Sequence, residues 1–403
     1  MSNVNRRLYF DNAATSFPKP PEVLAAMVDY ATKIGASAGR GAYAEARASA
    51  EVLRVCRERL NTLFHGENPN HFIFTLNCTD ALNLGIQGIL RPGDHAITTW
   101  MDHNSVLRPY HHLAEGLGGG TGITYTHVKV DPVSCVVDPE DIRKAIRPNT
   151  KLIAVVHASN VTGTVQPIRE IGKIAREHGI TYLVDAAQSV GHLPIDVQSD
   201  LVDLLAFPGH KGLLGPLGTG ALYIRPGLET RMRPVRFGGT GTKSEKQVQP
   251  DFMPDKFEAG SHNAIGIAGL SAGVAWILKK GIGELFEHDQ SLCRTFMESV
   301  DGVEGLRFLG PQGIRNRMGV FSMKIVGMEP LALAKKLEEE FGILTRPGLH
   351  CAPLAHTHLG TVETGGTTRL SFGAFLNLPE VQYAGDALAQ IALEQVGAAG
   401  AAK

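Results

Sequence analysis

No pair of cysteines in this 403-residue sequence stands in a CxxC arrangement. The five present, Cys56, Cys78, Cys135, Cys293 and Cys351, are odd in number and widely spaced. That spacing argues against a disulfide framework and against a zinc site, and it fits a reducing compartment. An excess of either charge is also missing: 39 basic and 40 acidic residues leave a formal net charge of -1. No global field therefore draws in nucleic acid or an anionic membrane. No apolar run approaches the ~18 uninterrupted residues of a membrane span, and the opening MSNVNRRLYFDNAATSFPKP has no apolar centre of a secretory signal. The expectation is a soluble, cytoplasmic protein acting on small molecules, without nucleic-acid or membrane partners. Internal repeats are absent too, and the one biased segment is the tail GAAGAAK, expected to fray.

What is present has a clear order. Length alone, at roughly 150 residues per domain, suggests about two domains. Apolar spacing predicts helices over 21–34 and 42–64. Seven short β-prone runs then alternate with helical stretches as far as residue 225: HFIFT, HAITTW, GITYTHV, KLIAVVH, TYLVDA, DLLAF and TGALYI. Such alternation is the pattern of an α/β fold with a mostly parallel seven-stranded sheet wrapped by helices. KLIAVVH and TYLVDA, nearly unbroken apolar runs, belong at the centre of the sheet, covered on both faces. A Gly- and Pro-rich tract from Arg225 to about residue 262 has too little periodicity for core, and a helix over 263–280 follows it. The remainder reads as a smaller α+β domain: helix 283–300, strands near 305–309 and 318–325, helix 329–341, a strand, a loop, a strand at 368–373 and a helix near 379–395. The division expected is 19–282 for the large domain, with 1–18 and 283–403 forming the small one.

Several residues could carry chemistry. Asp185 closes TYLVD, so its carboxylate lies at the C-terminal end of a central strand, where open α/β sheets bind ligands; taken alone it reads as a strand-ending residue that caps a turn. Lys211 stands 26 residues on, between His210 and a glycine-rich loop, where an ordinary lysine would be a solvated turn residue. The two together are more informative. Pyridoxal 5'-phosphate (PLP) needs a lysine for covalent attachment and an acid facing its pyridine nitrogen. The glycine tract lacks the GxxxxGK[ST] order of a nucleotide-binding loop. Cys78 and Thr79 precede a helical run whose free N–H groups could hold a phosphate, or Thr79 could be a plain N-cap. His103, in MDHNSV, follows another strand and would lie at the same sheet edge; a surface loop histidine is the default.

Taken in order, LYFDNAAT, FTLNCTDALNL, MDHNSV, HASNVTGTVQPI, LVDAAQSVGHLPIDVQ, GHKGLLGPLGTGALY, FEAGSHN, RPGLHCAP and TTRLSF resemble the cysteine desulfurase and selenocysteine lyase branch of the class V aminotransferases, PLP enzymes of fold type I. The resemblance covers nearly the whole chain. It implies that Lys211 carries the cofactor, Asp185 faces its ring nitrogen, Gln188 lies near its phenolic oxygen and His103 stacks on the ring. Thr79, His210, the backbone of Cys78 and, from a partner subunit, Ser261 would hold the phosphate, which implies a homodimer. Asn160 and Arg369 would bind the substrate carboxylate, a planar guanidinium suiting a two-pronged contact.

By the same resemblance Cys351, in Arg346-Pro347-Gly348-Leu349-His350-Cys351, takes sulfur from L-cysteine as a persulfide and leaves L-alanine, with His103 relaying the substrate thiol's proton. The sulfur then passes to an acceptor protein or small thiol. Such a role needs an accessible thiolate, whereas a cysteine chosen at random is a buried inert thiol. Three departures from the family pattern stand out. Leu349 replaces a histidine, Pro208 stands where a serine often touches phosphate, and the segment between Cys351 and Arg369 is longer than usual. His356 and His358 in that segment, having no third ligand in range, read as solvated loop histidines and not as metal ligands. L-selenocysteine is the alternative substrate. A transaminase, an epimerase or a sulfur-relay assembly partner on the same scaffold explains the Cys351 motif less well.

Overall fold

The computed structural model describes residues 7–39, 41–115 and 122–401. The first strand, β1 (Leu8–Tyr9), is followed by α1 (Pro21–Asp29), whose proline occupies the first helical position, where the missing N–H and fixed φ cost nothing. The helix expected over 21–34 changes character at Tyr30. Residues Tyr30–Ile34 form a π turn, closed by Gly35 at φ 58°. Next comes α2 (Ala44–Phe64).

All seven β-prone runs become strands of one sheet. In chain order the elements are β2 (Phe72–Thr75), α3 (Cys78–Ile89), β3 (His95–Thr99), α4 (Asn104–Ala114), β4 (Thr124–Val128), α5 (Pro139–Lys144), β5 (Thr150–Val156), α6 (Ile168–Glu177), β6 (Thr181–Asp185), β7 (Leu204–Pro208) and β8 (Gly220–Ile224). The sheet order is β2-β8-β7-β6-β5-β3-β4. Only β8 runs against its neighbours. The physical reason is the connection: long crossovers, whether through a helix such as α6 or the irregular stretch 186–203, return the chain to the same edge and make parallel neighbours, whereas the shorter 209–219 simply turns back.

Strands β6, β7 and β8 are buried at every residue. Their side chains divide by alternation. Tyr182 and Val184 enter the core that contains Leu60, Phe64 and Leu270, and Leu183 enters the opposite core with Leu82, Ala96 and Leu222.

Beyond the loop tract lie α7 (Ala264–Lys280) and α8 (Ile282–Val300), bent by 82° at Gly281, which adopts φ 86°. Among the described residues no single helix is long and apolar enough to cross a membrane. The chain continues with β9 (Leu306–Phe308), β10 (Val320–Ile325), α9 (Pro330–Phe341), β11 (Ile343–Leu344), β12 (Arg346–Gly348), α10 (Pro353–His358), β13 (Thr367–Ser371) and α11 (Leu378–Ala401). Four of these strands make an antiparallel sheet in the order β12-β13-β10-β9, and β1 pairs in parallel with β11. Leu8 and Phe10 consequently share a core with Phe296, Phe321, Leu370 and Leu388.

Two expectations need correction. The C-terminal tail, read as frayed, continues α11 to Ala401; residues 402–403, like residues 1–6, lie outside those described. His356 is no solvated loop histidine. The segment after Cys351 folds into α10 and buries its imidazole completely, because His350 and Thr361 satisfy both ring nitrogens. His358 is half-buried, its Nε2 3.3 Å from the Asp131 carbonyl.

Candidate active site

The C-terminal ends of β5, β6 and β7 and the N-termini of α3 and α4 converge on a cleft of about 510 Å³, its open mouth included. Cys78, Thr79, His103, Asn160, Asp185, Gln188, His210 and Lys211 all line it. Pro208 is there as well, at the end of β7.

At the cleft floor Asp185 ends β6 with its carboxylate buried. Oδ1 accepts from the Ala187 N–H at 3.0 Å and from the Cys78 thiol at 3.5 Å. Burial raises its pKa, and the Ala187 amide and the Lys211 charge pull the other way. Burial also lowers the pKa of Lys211, with Cys78 and Asp185 opposing; the amine thus gives up its proton more readily than a surface lysine. The loop that presents Lys211 is held by a close backbone approach. A Cβ on Gly212 would meet the Val190 carbonyl oxygen at 2.1 Å, and one on Gly191, at φ 78°, would meet that of Gly212 at 2.0 Å.

The two helix starts are built differently. Asn77 caps α3 by accepting the Asp80 N–H at 2.9 Å, which leaves the N–H groups of Cys78 and Thr79 as donors that the helix itself does not use. The Thr79 hydroxyl lies 2.8 Å from that of Ser105. His103 caps α4 with its own ring: Nδ1 accepts the Ser105 N–H at 3.0 Å. Burial and then the nearby cations lower its pKa to about 4, so the ring is neutral and carries its proton on Nε2. His210 is likewise pushed down to about 4, by burial first, and its Nδ1 is buried without a hydrogen-bond partner. Gln188 donates to the Ala13 carbonyl at 3.0 Å.

Asn160 and Arg369 come together although 209 positions apart: Arg369 Nη1 donates to the Asn160 carbonyl at 3.1 Å, from a guanidinium only 1% exposed. Asn160 Nδ2 donates to the His350 carbonyl at 2.6 Å, and Arg369 Nε and Asn160 Oδ1 have no partner among the described residues. Cys351 is the only exposed one of the five cysteines. It lies in a groove whose wall shares Thr79, His103 and Ser105 with the cleft. Its Sγ is 3.8 Å from Arg346 Nη2, and its carbonyl accepts the Asn104 N–H at 2.9 Å. Ser261 does not join them. It lines a separate pocket with Phe74, Arg236 and Glu258.

Two residues of the site were not singled out from the sequence. Asp11, inside the quoted LYFDNAAT, pairs with Arg369 at 2.7 Å, and Ser105, inside MDHNSV, links Thr79 to His103. Their presence in those motifs was the available signal. Among the described residues no cluster of His, Cys, Asp or Glu could hold a metal ion.

The model of the family "Aminotransferase class-V" matches residues 8–383. A probable cysteine desulfurase of Methanothermobacter thermautotrophicus is 38% identical over 391 residues, 96% of this chain and 94% of that protein. Among solved structures, the apo cysteine desulfurase of Thermococcus onnurineus superposes with a TM-score of 0.88 at 32% identity, covering 97% of this chain and 96% of its own. The cysteine desulfurase CsdA of Escherichia coli gives 0.82 at 27% identity, covering 96% and 94%. Sequence and fold agree along nearly the full length, and the chain belongs to the class V aminotransferase family, among its cysteine desulfurases.

Proposed function

We propose that the protein is a PLP-dependent cysteine desulfurase that converts L-cysteine to L-alanine and takes the sulfur on Cys351. The observation that carries this reading is the exposed Cys351 thiol in a groove that shares Thr79, His103 and Ser105 with the cleft holding Asp185 and Lys211. The residues present suit the cofactor: a buried carboxylate for the ring nitrogen, a buried lysine for attachment, and free helix amides with an unpartnered His210 Nδ1 for the phosphate. PLP supplies an electron-poor ring that delocalises the electron pair left when the substrate Cα loses its proton.

The chain's own residues do the rest. Asp185, stripped of water, keeps a protonated ring nitrogen favourable, and Cys78 and Ala187 aim the carboxylate. Lys211 moves the proton at Cα, a role served by the lowered pKa of its amine. Arg369 meets the substrate carboxylate through Nε, and Asn160 offers the Nδ2 hydrogen not used by His350. Because Nδ1 of His103 is committed to the Ser105 amide, Nε2 is the ring atom through which this residue would relay the substrate thiol's proton. Gln188 would lie near the cofactor's phenolic oxygen, and Thr79, His210 and the Cys78 backbone would hold the phosphate. Ser261 of a second copy completes the phosphate site in a homodimer, which accounts for its separate pocket. Pro208 takes the place of a phosphate-binding hydroxyl and contributes none. The large domain spans 19–282 and the small one 1–18 and 283–403, in the cytoplasm, with sulfur leaving Cys351 for an acceptor protein or small thiol.

The test is single-turnover alanine formation from L-cysteine, with mass mapping of persulfide, in wild type and Cys351→Ala. Alanine with persulfide confined to Cys351 establishes the reaction; no alanine from cofactor-loaded protein overturns it.

A further inference from the structure

We propose that His356, acting through His350, is a positioning residue for the sulfur-accepting thiol of Cys351. The inference rests on the reading of Cys351 given above.

The Cys351 loop has an unusual backbone. His350 at φ 50° and Cys351 at φ 58° are consecutive non-glycine residues in the left-handed region, a conformation that persists only when the surroundings impose it. Two contacts come from the large sheet's side: Asn160 Nδ2 to the His350 carbonyl and the Asn104 N–H to the Cys351 carbonyl. The third restraint is a buried hydrogen-bond chain from the opposite side. His350 Nε2 lies 3.0 Å from the Arg346 carbonyl, His350 Nδ1 lies 3.3 Å from His356 Nε2, and His356 Nδ1 lies 2.7 Å from the Thr361 hydroxyl.

The direction of every bond follows from one end. A carbonyl can only accept, so His350 Nε2 carries a hydrogen. A neutral ring then has a bare Nδ1, which must accept from His356 Nε2–H. His356 Nδ1 is bare in turn and accepts from the Thr361 hydroxyl. Burial holds both rings neutral, lowering His350 to about 3 and His356 to about 4. The charged and titratable groups facing His350 are Arg369 on β13, His356 on α10 and Arg346 on β12. None is an acid that would favour a protonated ring. The chain thus locks Arg346 and His350 to α10, and with them the 3.8 Å approach of the Arg346 guanidinium to the Cys351 sulfur.

The test compares holoenzyme of wild type, His356→Leu and His356→Gln. Three quantities are read: the rate at which iodoacetamide caps Cys351 at pH 7, KM and kcat for alanine formation, and the pH–rate profile. In the leucine variant capping and kcat each fall about tenfold, because misplacement of a reacting group by an ångström is costly, and KM stays within about twofold. The profile keeps its wild-type shape in both variants, because leucine leaves His350 buried and burial is the main reason its ring stays neutral. Glutamine, whose amide N–H replaces Nε2–H, restores capping and kcat. If the leucine variant does not accumulate folded, Thr361→Val, which unpairs Nδ1 of His356, carries the same comparison in milder form. Unchanged capping with an unchanged kcat overturns the proposal, as does a glutamine variant no better than leucine. Failure of the parent reading is distinct: wild type then forms no persulfide on Cys351, and capping still reports the loop's position.

Discussion

Asp11 and Arg369, 358 positions apart in the chain, meet at 2.7 Å and join the strand-and-loop start of the protein to the strand that carries the proposed substrate-binding guanidinium. Arg369 is buried, and Asp11 is its one carboxylate partner among the described residues. Removing the charge with Asp11→Asn keeps a hydrogen-bond acceptor but frees the guanidinium to tilt. KM for L-cysteine should rise about tenfold, with a smaller change in kcat, in steady-state assays of alanine release. Asp11→Ala leaves a buried cation unpaired and should cost about 3–5 kcal/mol in denaturant unfolding.

Asp185→Asn removes the carboxylate and leaves the volume of the site intact. Single-turnover alanine formation should slow by about 100- to 1,000-fold, the scale on which one preorganised electrostatic contact acts. The visible absorbance of the holoenzyme checks that the cofactor is still bound. Wild-type rates with bound cofactor would remove Asp185 from the mechanism.

Glu258 holds the loop of Ser261 from within the core. Its carboxylate accepts from Arg57 at 2.5 Å, from the Phe74 N–H at 2.7 Å and from His262 at 2.6 Å. Glu258→Ala strands the buried Arg57 and should destabilise by about 3–5 kcal/mol, read by equilibrium unfolding. Glu258→Gln, which keeps an acceptor, should lose less.

Acid should weaken the fold in a defined window. Burial lowers His95, His157 and His356 to about 4 and His350 to about 3, against 6.5 when unfolded. Between pH 6.5 and about 4 the unfolded chain binds the protons that the folded one refuses, so stability falls as pH drops through that window. Asp102, raised to about 6 by burial, and Asp185 and Asp255, also raised by burial, work the opposite way by binding a proton in the folded state first, but the lowered histidines, with His103 and His210 among them, outnumber these three. Calorimetric melting temperatures between pH 7.5 and 4.5 should therefore decline with acidification. A flat profile would show that these rings titrate normally in the fold.

Much of this protein is determined by the sequence alone, wherever the information is local. KLIAVVH, TYLVDA and the other apolar runs became strands because residues covered on both faces need no alternation, and the strand-ending position of Asp185 followed directly. The ordered motifs also marked the residues that meet in the cleft, from Cys78 to Lys211. Only the tertiary structure decided the reversal of β8, the bonding of Asp11 to Arg369 and the burial of His356 between His350 and Thr361. Strand direction depends on which edge a connection returns to, and the buried state of a polar side chain depends on partners that satisfy it. In these cases the deciding contact is made by chain folded back from elsewhere, so no local pattern of residues encodes it.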